Sequence, residues 1–345
     1  MTKEIIIKDV KIGNGNTIAV QSMTNTKTGD VDATVAQINA LKNAGCDIVR
    51  FTVNDEAAAS AVKSIVDRTD VPLVADIHFD YRMAIKAIES GIHKIRINPG
   101  NIGAEENIKA VVDAAKLHNI PIRIGVNSGS IQTDLLKKYG NTAKALYESA
   151  VCNVKLLEKF GFNDIVISAK ASDVKRTIEV YRLLSELSYP LHIGVTEAGI
   201  GEDALVKSSV ALGSLLADGI GDTIRVSMTG DPVQEVYAAK KILRAVGLDK
   251  DYVEIVACPT CGRTAFDMTS IVKELKERTK DINKSLKIAV MGCVVNGPGE
   301  AKECNFGIAG GPEKSALFIN GEVVGTVEND RIVETLMRLT EEYVG

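Results

Sequence analysis

The sequence predicts an α/β chain in two parts: an N-terminal (β/α)8 barrel of the TIM type over residues 1–248, followed by a small α+β domain over residues 249–345. Three observations carry this reading. Short apolar runs alternate with helix-spaced alanines and aliphatics up to about residue 230, the signature of a parallel sheet. The alternation recurs eight times, enough to close that sheet on itself. The pattern then changes after a well-marked helix that Gly247 can end. An open doubly wound sheet is the alternative for the same alternation.

The apolar runs are Thr17–Gln21, Asp47–Val53, Pro72–Ile77, Lys94–Asn98, Pro121–Asn127, Asp164–Ser168, Leu191–Val195 and Thr223–Ser227, with helical stretches such as Ala33–Ala44 and Arg82–Ser90 between them. Ahead of them, Glu4–Asn16 reads as a β-hairpin turning at Gly13-Asn14-Gly15-Asn16 and able to plug the barrel floor. The helix after the eighth run begins with Asp231 as cap, Pro232 at its first position and Gln234 placed for a capping box. In the second part, Val253–Ala257 and Leu286–Met291 are strands, Thr269–Arg278 and Arg331–Tyr343 are helices, and Asn320-Gly321 joins a hairpin.

Composition excludes several classes. Aromatics make up 4% with no tryptophan, and the net charge is -4, so neither an aromatic–basic nucleic-acid surface nor a generally cationic one is present. No apolar run approaches the ~18 residues of a membrane span, and Met1-Thr2-Lys3-Glu4 leads into isoleucines that suit a strand rather than a signal segment. The expectation is a cytoplasmic protein, without nucleic-acid or membrane partners. In that reducing setting the six cysteines are poorly explained by disulfides. Cys46 and Cys152 read as small buried hydrophobes.

Barrel sites lie at the C-terminal ends of the strands, and the residues there are strongly polar. The second strand carries Arg50 and Thr52, the third ends in Asp76 and His78, and the fourth has Arg96 and Asn98. The fifth has Arg123 and Asn127, the sixth runs into Lys170, the seventh ends at Glu197, and the eighth has Arg225 and Ser227. Even spacing within a strand puts Arg96 and Asn98 on one face and Ile95 and Ile97 on the other. The outer face packs under apolar helices, so the polar set points inward. A lone strand arginine is ordinarily a solvated edge residue or an ion-pair partner. Four arginines and a lysine converging in one cavity need more than Asp76 and Glu197 to balance them, and a multiply charged anion such as a diphosphate supplies the balance. His78 suits either a packed histidine or an acid/base group. His93, His118 and His192 read as structural.

Cys258-Pro259-Thr260-Cys261 is a C-x-x-C knuckle, followed by Cys293 in a Gly-rich loop, each after a predicted strand. A thioredoxin-like redox pair lacks its usual βαβ context and leaves Cys293 idle. Structural zinc would need Cys304 as fourth ligand, too far from Cys293 for a second knuckle. A 4Fe-4S cluster on Cys258, Cys261 and Cys293 leaves one iron for another ligand or for substrate. Spacing alone leaves zinc and iron–sulfur level; the cationic barrel beside the thiols favours a catalytic cluster. Two other classes remain: a phospholigand-binding barrel with a zinc-stabilised appendage, and a sulfite-reductase-like enzyme, which would need a sirohaem site not visible in the sequence.

The stretches Cys258-Pro259-Thr260-Cys261-Gly262-Arg263 and Met291-Gly292-Cys293-Val294-Val295-Asn296-Gly297-Pro298-Gly299-Glu300 resemble the 4-hydroxy-3-methylbut-2-enyl diphosphate synthases of the non-mevalonate isoprenoid pathway. So do Val20-Gln21-Ser22-Met23-Thr24, Val74-Ala75-Asp76-Ile77-His78-Phe79 and Ile95-Arg96-Ile97-Asn98-Pro99-Gly100. The resemblance covers essentially the whole chain and fits the shorter, two-domain bacterial form. It implies two-electron reductive opening and dehydration of 2-C-methyl-D-erythritol 2,4-cyclodiphosphate, with ferredoxin or flavodoxin as donor. It also implies Glu300 as exchangeable fourth cluster ligand and acid, where spacing alone would favour Cys304. Glu197 becomes a proton donor or hydroxyl-orienting group. The substrate contacts fall on Arg50, Asp76, His78, Arg96, Asn98, Arg123, Asn127, Lys170, Arg225, Ser227 and Asn296. The eighth helix runs back from mouth to floor, so the second domain starts at the wrong end of its own barrel. A head-to-tail homodimer follows, with one chain's cluster over the other's barrel.

Overall fold

Alternating isoleucines at the start of the chain form a two-stranded antiparallel ribbon, β1 (Ile5–Ile7) and β2 (Val10–Ile12). The computed structural model describes residues 1–295, 299 and 301–345, which divide into two units, Met1–Leu248 and Asp249–Gly345. The ribbon turns at Lys8-Asp9, with Lys8 at φ 57°, and not at Gly13–Asn16 as the glycines suggest. The latter turn instead directs the chain from the ribbon to the first barrel strand. Ile5, Ile7 and Ile12 pack against Ala19, Ile48, Val74 and Val166 at the starts of four barrel strands, so the ribbon does plug the floor. This apolar plate closes the N-terminal end of the barrel to water.

In chain order the barrel unit contains β3 (Ala19–Met23), α1 (Val31–Asn43), β4 (Ile48–Thr52), α2 (Glu56–Asp67), β5 (Leu73–Asp76), α3 (Tyr81–Glu89) and β6 (Lys94–Ile97). It continues with α4 (Pro99–Ile102), α5 (Glu105–His118), β7 (Ile122–Asn127), α6 (Thr133–Tyr139), α7 (Ala143–Lys159), β8 (Ile165–Lys170) and α8 (Val174–Leu184). The last elements are β9 (His192–Ile193), α9 (Gly201–Ala217), β10 (Thr223–Ile224) and α10 (Pro232–Ala245). The eight parallel strands run in the order β8-β7-β6-β5-β4-β3-β10-β9. A single parallel bridge, Ile167 to Leu191, joins the two ends. The sheet is therefore a barrel and not an open doubly wound array. Outward residues such as Val49, Phe51, Ile95, Ile97, Ile122 and Ile124 are fully buried under the helices.

Local chemistry sets the helix ends. Asp30, Asp55, Asp80, Asp173 and Asp231 each accept a backbone N–H of the first turn that follows, satisfying donors the helix cannot. At α10 the bond goes from the Val233 N–H to Asp231. Gln234 forms no capping box there; the neighbouring Glu235 turns inward instead.

The second unit is a five-stranded mixed sheet in the order β11 (Val253–Ala257), β12 (Leu286–Met291), β13 (Phe306–Ala309), β14 (Lys314–Ile319), β15 (Glu322–Glu328). Helices α11 (Met268–Thr279) and α12 (Ile332–Val344) pack against it through Leu275, Leu336 and Leu339. Asn320 and Gly321 both take positive φ, the two-residue turn that a hairpin favours. Strand β13 has no counterpart among the strands the sequence predicts. Among the described residues, no helix is long and apolar enough to cross a membrane.

Cys46 is buried, and burial pushes its thiol up to about 12, as a small hydrophobe should behave. Cys152 is exposed on α7, correcting its reading as a buried residue. Ahead of β6, the His93 Nδ1 accepts the Leu73 N–H at 3.0 Å. Burial, then Lys8, lowers its pKa to about 4, against about 6.5 unfolded. The unfolded chain thus binds more protons between these values, so stability is full above about pH 6.5 and falls as pH drops toward 4. In chemical denaturation from pH 7 to 4, His93→Gln, which keeps an acceptor but not the titration, is expected to lose part of that decline.

Candidate active site

The inward positions of the strands stack in layers. Across β6 and β7, Arg96 is in register with Arg123; across β5 and β6, Asp76 is in register with Arg96. The pairing of parallel strands therefore sets these side chains side by side. Arg50 is 9% exposed, Arg96 7%, Arg123 1% and Lys170 7%, so the interior of the barrel holds charge that water barely reaches. Asp76 is the shared counter-ion. Its Oδ1 accepts from Arg96 Nη1 at 3.1 Å, and its Oδ2 lies 3.7 Å from Arg50 Nε and 3.8 Å from His78 Nε2. Burial alone would raise the Asp76 carboxyl, but Arg50, then Arg96, His78 and Arg123, outweigh it and hold it well below the usual carboxylate range.

Two glycines make room for this charge. A Cβ on Gly125 would stand 2.1 Å from Arg96 Nε, and one on Gly194 would stand 2.7 Å from Lys170 Nζ. Arg96 uses the space to donate to the Gly125 carbonyl at 3.0 Å. Lys170 reaches His192 Nε2 at 3.2 Å, whose Nδ1 meets Thr223 Oγ1 at 2.8 Å. His192 thus supports Lys170 from below, consistent with its structural reading. Burial, then Arg123, lowers Lys170 far below the ordinary lysine range. Burial likewise lowers Arg50 to about 10, still fully charged at neutral pH.

Arg225 lies just beyond β10, tied by its N–H to the Ile193 carbonyl at 3.0 Å. Its partner is Glu235 of α10, which sequence reading missed. The Arg225 Nε and Nη2 donate to the two Glu235 oxygens at 3.1 Å each. Ser22 Oγ at 2.8 Å and the Met228 N–H at 3.1 Å complete its shell. Lys94, two residues before Arg96 on the same face, was also missed and is fully buried. Among the described residues, Lys94 Nζ and the Nε and Nη1 of Arg123 have no hydrogen-bond partner. Among the described residues, six basic side chains thus share the interior with two carboxylates, Asp76 and Glu235. Unpaired buried donors of this kind are costly, and a multivalent anion is the chemistry that offsets them.

Asn98 Nδ2 donates to Ser130 Oγ at 3.0 Å, which fixes the amide at the strand end. Asn127 is half-buried at the end of β7, Ser227 is half-buried beyond β10, and His78 is partly exposed. Glu197 is exposed and sits at φ 54°. It is not drawn into the cationic cluster, and its share in balancing that charge passes to Glu235. Asn296 and Glu300 lie outside the described residues.

In the second unit, β11 and β12 are parallel with Ala257 opposite Val290. Cys258 and Cys293 therefore leave the C-terminal ends of neighbouring strands. The loops are stitched together: the Gly292 N–H donates to Cys258 Sγ at 3.3 Å, and the Ala265 N–H donates to the Gly292 carbonyl at 2.9 Å. Cys261 is exposed, and the Arg263 backbone, then its side chain, lowers its thiol pKa. Cys304 is instead 4% exposed, among Ala289, Met291, Ala301 and Phe318, and burial raises its thiol. Among the described residues no three His, Cys, Asp or Glu side chains converge on a single ion. The thiolates of an iron–sulfur cluster each bind a different iron, and the donor set fits such a group: three thiols on strand-end loops, with a backbone N–H already directed at one sulfur.

These features define a class: a (β/α)8 barrel built to take a polyanion, joined to a thiol-bearing α+β unit. The chain belongs to the GcpE family; the GcpE TIM-barrel domain matches residues 2–240 and the GcpE protein C-terminal domain matches residues 254–342. Among curated relatives, the 4-hydroxy-3-methylbut-2-en-1-yl diphosphate synthase (flavodoxin) of Caldanaerobacter subterraneus subsp. tengcongensis is 56% identical, over 100% of this chain and 98% of its own. The protein of the same name from Clostridium perfringens is 54% identical, over 99% and 98%. Dihydropteroate synthase from Stenotrophomonas maltophilia is similar in fold alone, with TM-score 0.52 and 16% identity over 71% of this chain and 98% of its own.

The clash at Gly125 is a direct handle on the site. Gly125→Ala is expected to displace the Arg96 guanidinium and weaken pyrophosphate binding by roughly tenfold or more, the cost of a charge-assisted bond. Isothermal titration calorimetry checks this, with a thermal melt to confirm that the barrel is folded.

Proposed function

We propose that the chain catalyses the reductive ring opening and dehydration of 2-C-methyl-D-erythritol 2,4-cyclodiphosphate to 4-hydroxy-3-methylbut-2-enyl diphosphate. The observation that carries this is the excess of buried cations at the C-terminal end of a barrel whose family and relatives are those given above. Two electrons arrive from reduced flavodoxin, the donor printed in the relatives' names, or from ferredoxin. The setting is the cytoplasm, with no nucleic-acid or membrane partner.

Arg50, Arg96, Arg123, Lys170 and Arg225 take the diphosphate; their donors are held in place before substrate arrives, and an anion beside Lys170 and Arg123 would favour the charged forms that burial disfavours. Asn98, Asn127 and Ser227 orient the polyol hydroxyls. Asp76 holds Arg50 and Arg96 in place, and as a fully ionised carboxylate it cannot donate a proton at neutral pH. His78 at the rim and Glu197 beyond it are the proton-handling candidates, Glu197 as donor or hydroxyl-orienting group. Cys258, Cys261 and Cys293 would hold a 4Fe-4S cluster, with Glu300 as exchangeable fourth ligand and acid, and Asn296 beside it. That cluster, when bound, would relay the donor's two electrons to the substrate one at a time. A carboxylate suits an exchangeable position because it is a harder and more labile iron ligand than thiolate. The burial of Cys304, which raises its thiol, supports leaving it out of the ligand set, although Cys258 borders the same apolar cluster.

Anaerobic turnover of the cyclic diphosphate, with iron and sulfide quantified, tests the reading. Zinc without sulfide would overturn the cluster. In the same preparation Cys293→Ala is expected to lose the iron–sulfur absorbance and Cys304→Ala to keep it; loss in both would restore Cys304 to the ligand set.

The functional form is a head-to-tail homodimer in which one chain's cluster domain serves the other's barrel. Support comes from where the barrel unit ends: Leu248 lines a floor cavity together with Met1, Thr2 and Asn16, at the opposite end from the cations. Co-expression of Arg123→Ala with Cys258→Ala chains should recover activity through one intact site per mixed dimer. Purified mixed dimers without activity would count against cross-chain assembly.

A further inference from the structure

Arg50 and Arg225 neighbour each other in the barrel but are held differently. Glu235 grips the Nε–Nη2 edge of Arg225. The corresponding edge of Arg50 does not meet a carboxylate squarely; Asp76 Oδ2 is 3.7 Å away. It meets a thioether instead. Arg50 Nη2 and Nε donate to Met23 Sδ at 2.9 and 3.2 Å, and Arg225 Nη1 approaches the same sulfur at 3.8 Å. Met23 ends β3, between β4 and β10 in the sheet order, so it stands between the strands that supply the two arginines.

We propose that Met23 is a positioning residue for anion recognition: its sulfur holds Arg50, and draws in Arg225, without cancelling their charge. The inference rests on the reading that these arginines bind the substrate diphosphate. Two guanidiniums brought this close repel. A carboxylate between them would relieve that repulsion, but it would also neutralise the field that the anion must find. A thioether is a weak, polarisable acceptor with no charge. It fixes the direction of the Arg50 fork, which sets where bidentate recognition of phosphate can occur, and leaves the positive potential intact. An apolar side chain of similar size would fill the volume and leave Arg50 with only its 3.7 Å contact to Asp76, too long to fix the fork.

The test compares three substitutions at one position. Met23→Leu conserves volume and is tolerated by packing. Removing the acceptor should weaken inorganic pyrophosphate binding roughly three- to tenfold, the worth of one hydrogen bond, and raise KM for the cyclic diphosphate with kcat within about twofold, since uniform binding is lost. Met23→Gln restores a neutral acceptor and should recover most of the affinity. Met23→Glu should bind pyrophosphate more weakly than Met23→Leu, because a third carboxylate beside Asp76 and Glu235 would compete with the anion for the arginines. Equal binding by Met23→Leu and the wild type, or equal losses in Met23→Leu and Met23→Gln, would overturn the proposal. A second measurement does not depend on the substrate: solvent exchange of the Arg50 Nε–H in the free protein. It should be slow in the wild type and Met23→Gln and fast in Met23→Leu; unchanged exchange in Met23→Leu would overturn the clamp. A wild type that binds neither pyrophosphate nor the cyclic diphosphate, yet shows the exchange pattern, would sink the substrate reading and leave the clamp standing.

Discussion

Positive charge buried faster than it is neutralised is the constraint around which the barrel is arranged. A lone guanidinium in a protein interior is unfavourable by several kcal/mol, and this interior holds a ring of them. Asp76 spans Arg50 and Arg96, Glu235 closes on Arg225, and His192 props Lys170, yet the donors of Arg123 and Lys94 are left over. A fold that carried such an imbalance for no purpose would give up stability that apolar side chains would supply. The imbalance is tolerated because a ligand completes it.

The surrounding framework reads as support for that charge. The ribbon of isoleucines seals the floor, so water cannot enter from below to screen the arginines. Gly125 and Gly194 trade strand stability for space, placing Arg96 and Lys170 where a β-carbon would stand. Outside the barrel, aliphatic residues on the alternate positions of the same strands pack under the helices. One sequence period of two thus serves both purposes: it builds the core with one set of residues and the site with the other.

Much of this was legible in the sequence, because strand alternation is local. Arg96 with Asn98, and Arg225 with Ser227, declare their common face by spacing alone. Lys94 obeys the same rule and was overlooked because it sits at the start of its strand, where barrel sites are not expected. Glu235 was hidden for another reason: its role depends on α10 turning it toward a strand that no local pattern pairs with it. An acid on the otherwise apolar stripe of Val236, Ala239 and Leu243 was the available signal. The ribbon turn was misplaced because glycine-rich Gly13–Asn16 speaks louder than Lys8-Asp9, although both turn the chain. For the thiols, spacing identified a knuckle and a partner; the parallel register of β11 and β12 explains why they emerge together. Cys304 differs from them in being buried in an apolar cluster that Cys258 only borders, which spacing cannot express.

The wall of the barrel is unevenly laced. Strands β9 and β10 contribute two paired residues each, and β9 meets β8 through the single bridge at Leu191. Local opening follows the least-bonded stretch of a fold, so this is the seam along which the cylinder loosens. Lys170 borders it on one side and Arg225 lies just past it on the other. An anion tied to both would act as a stitch across the seam, making occupancy of the cavity and stiffness of the wall a single coupled property.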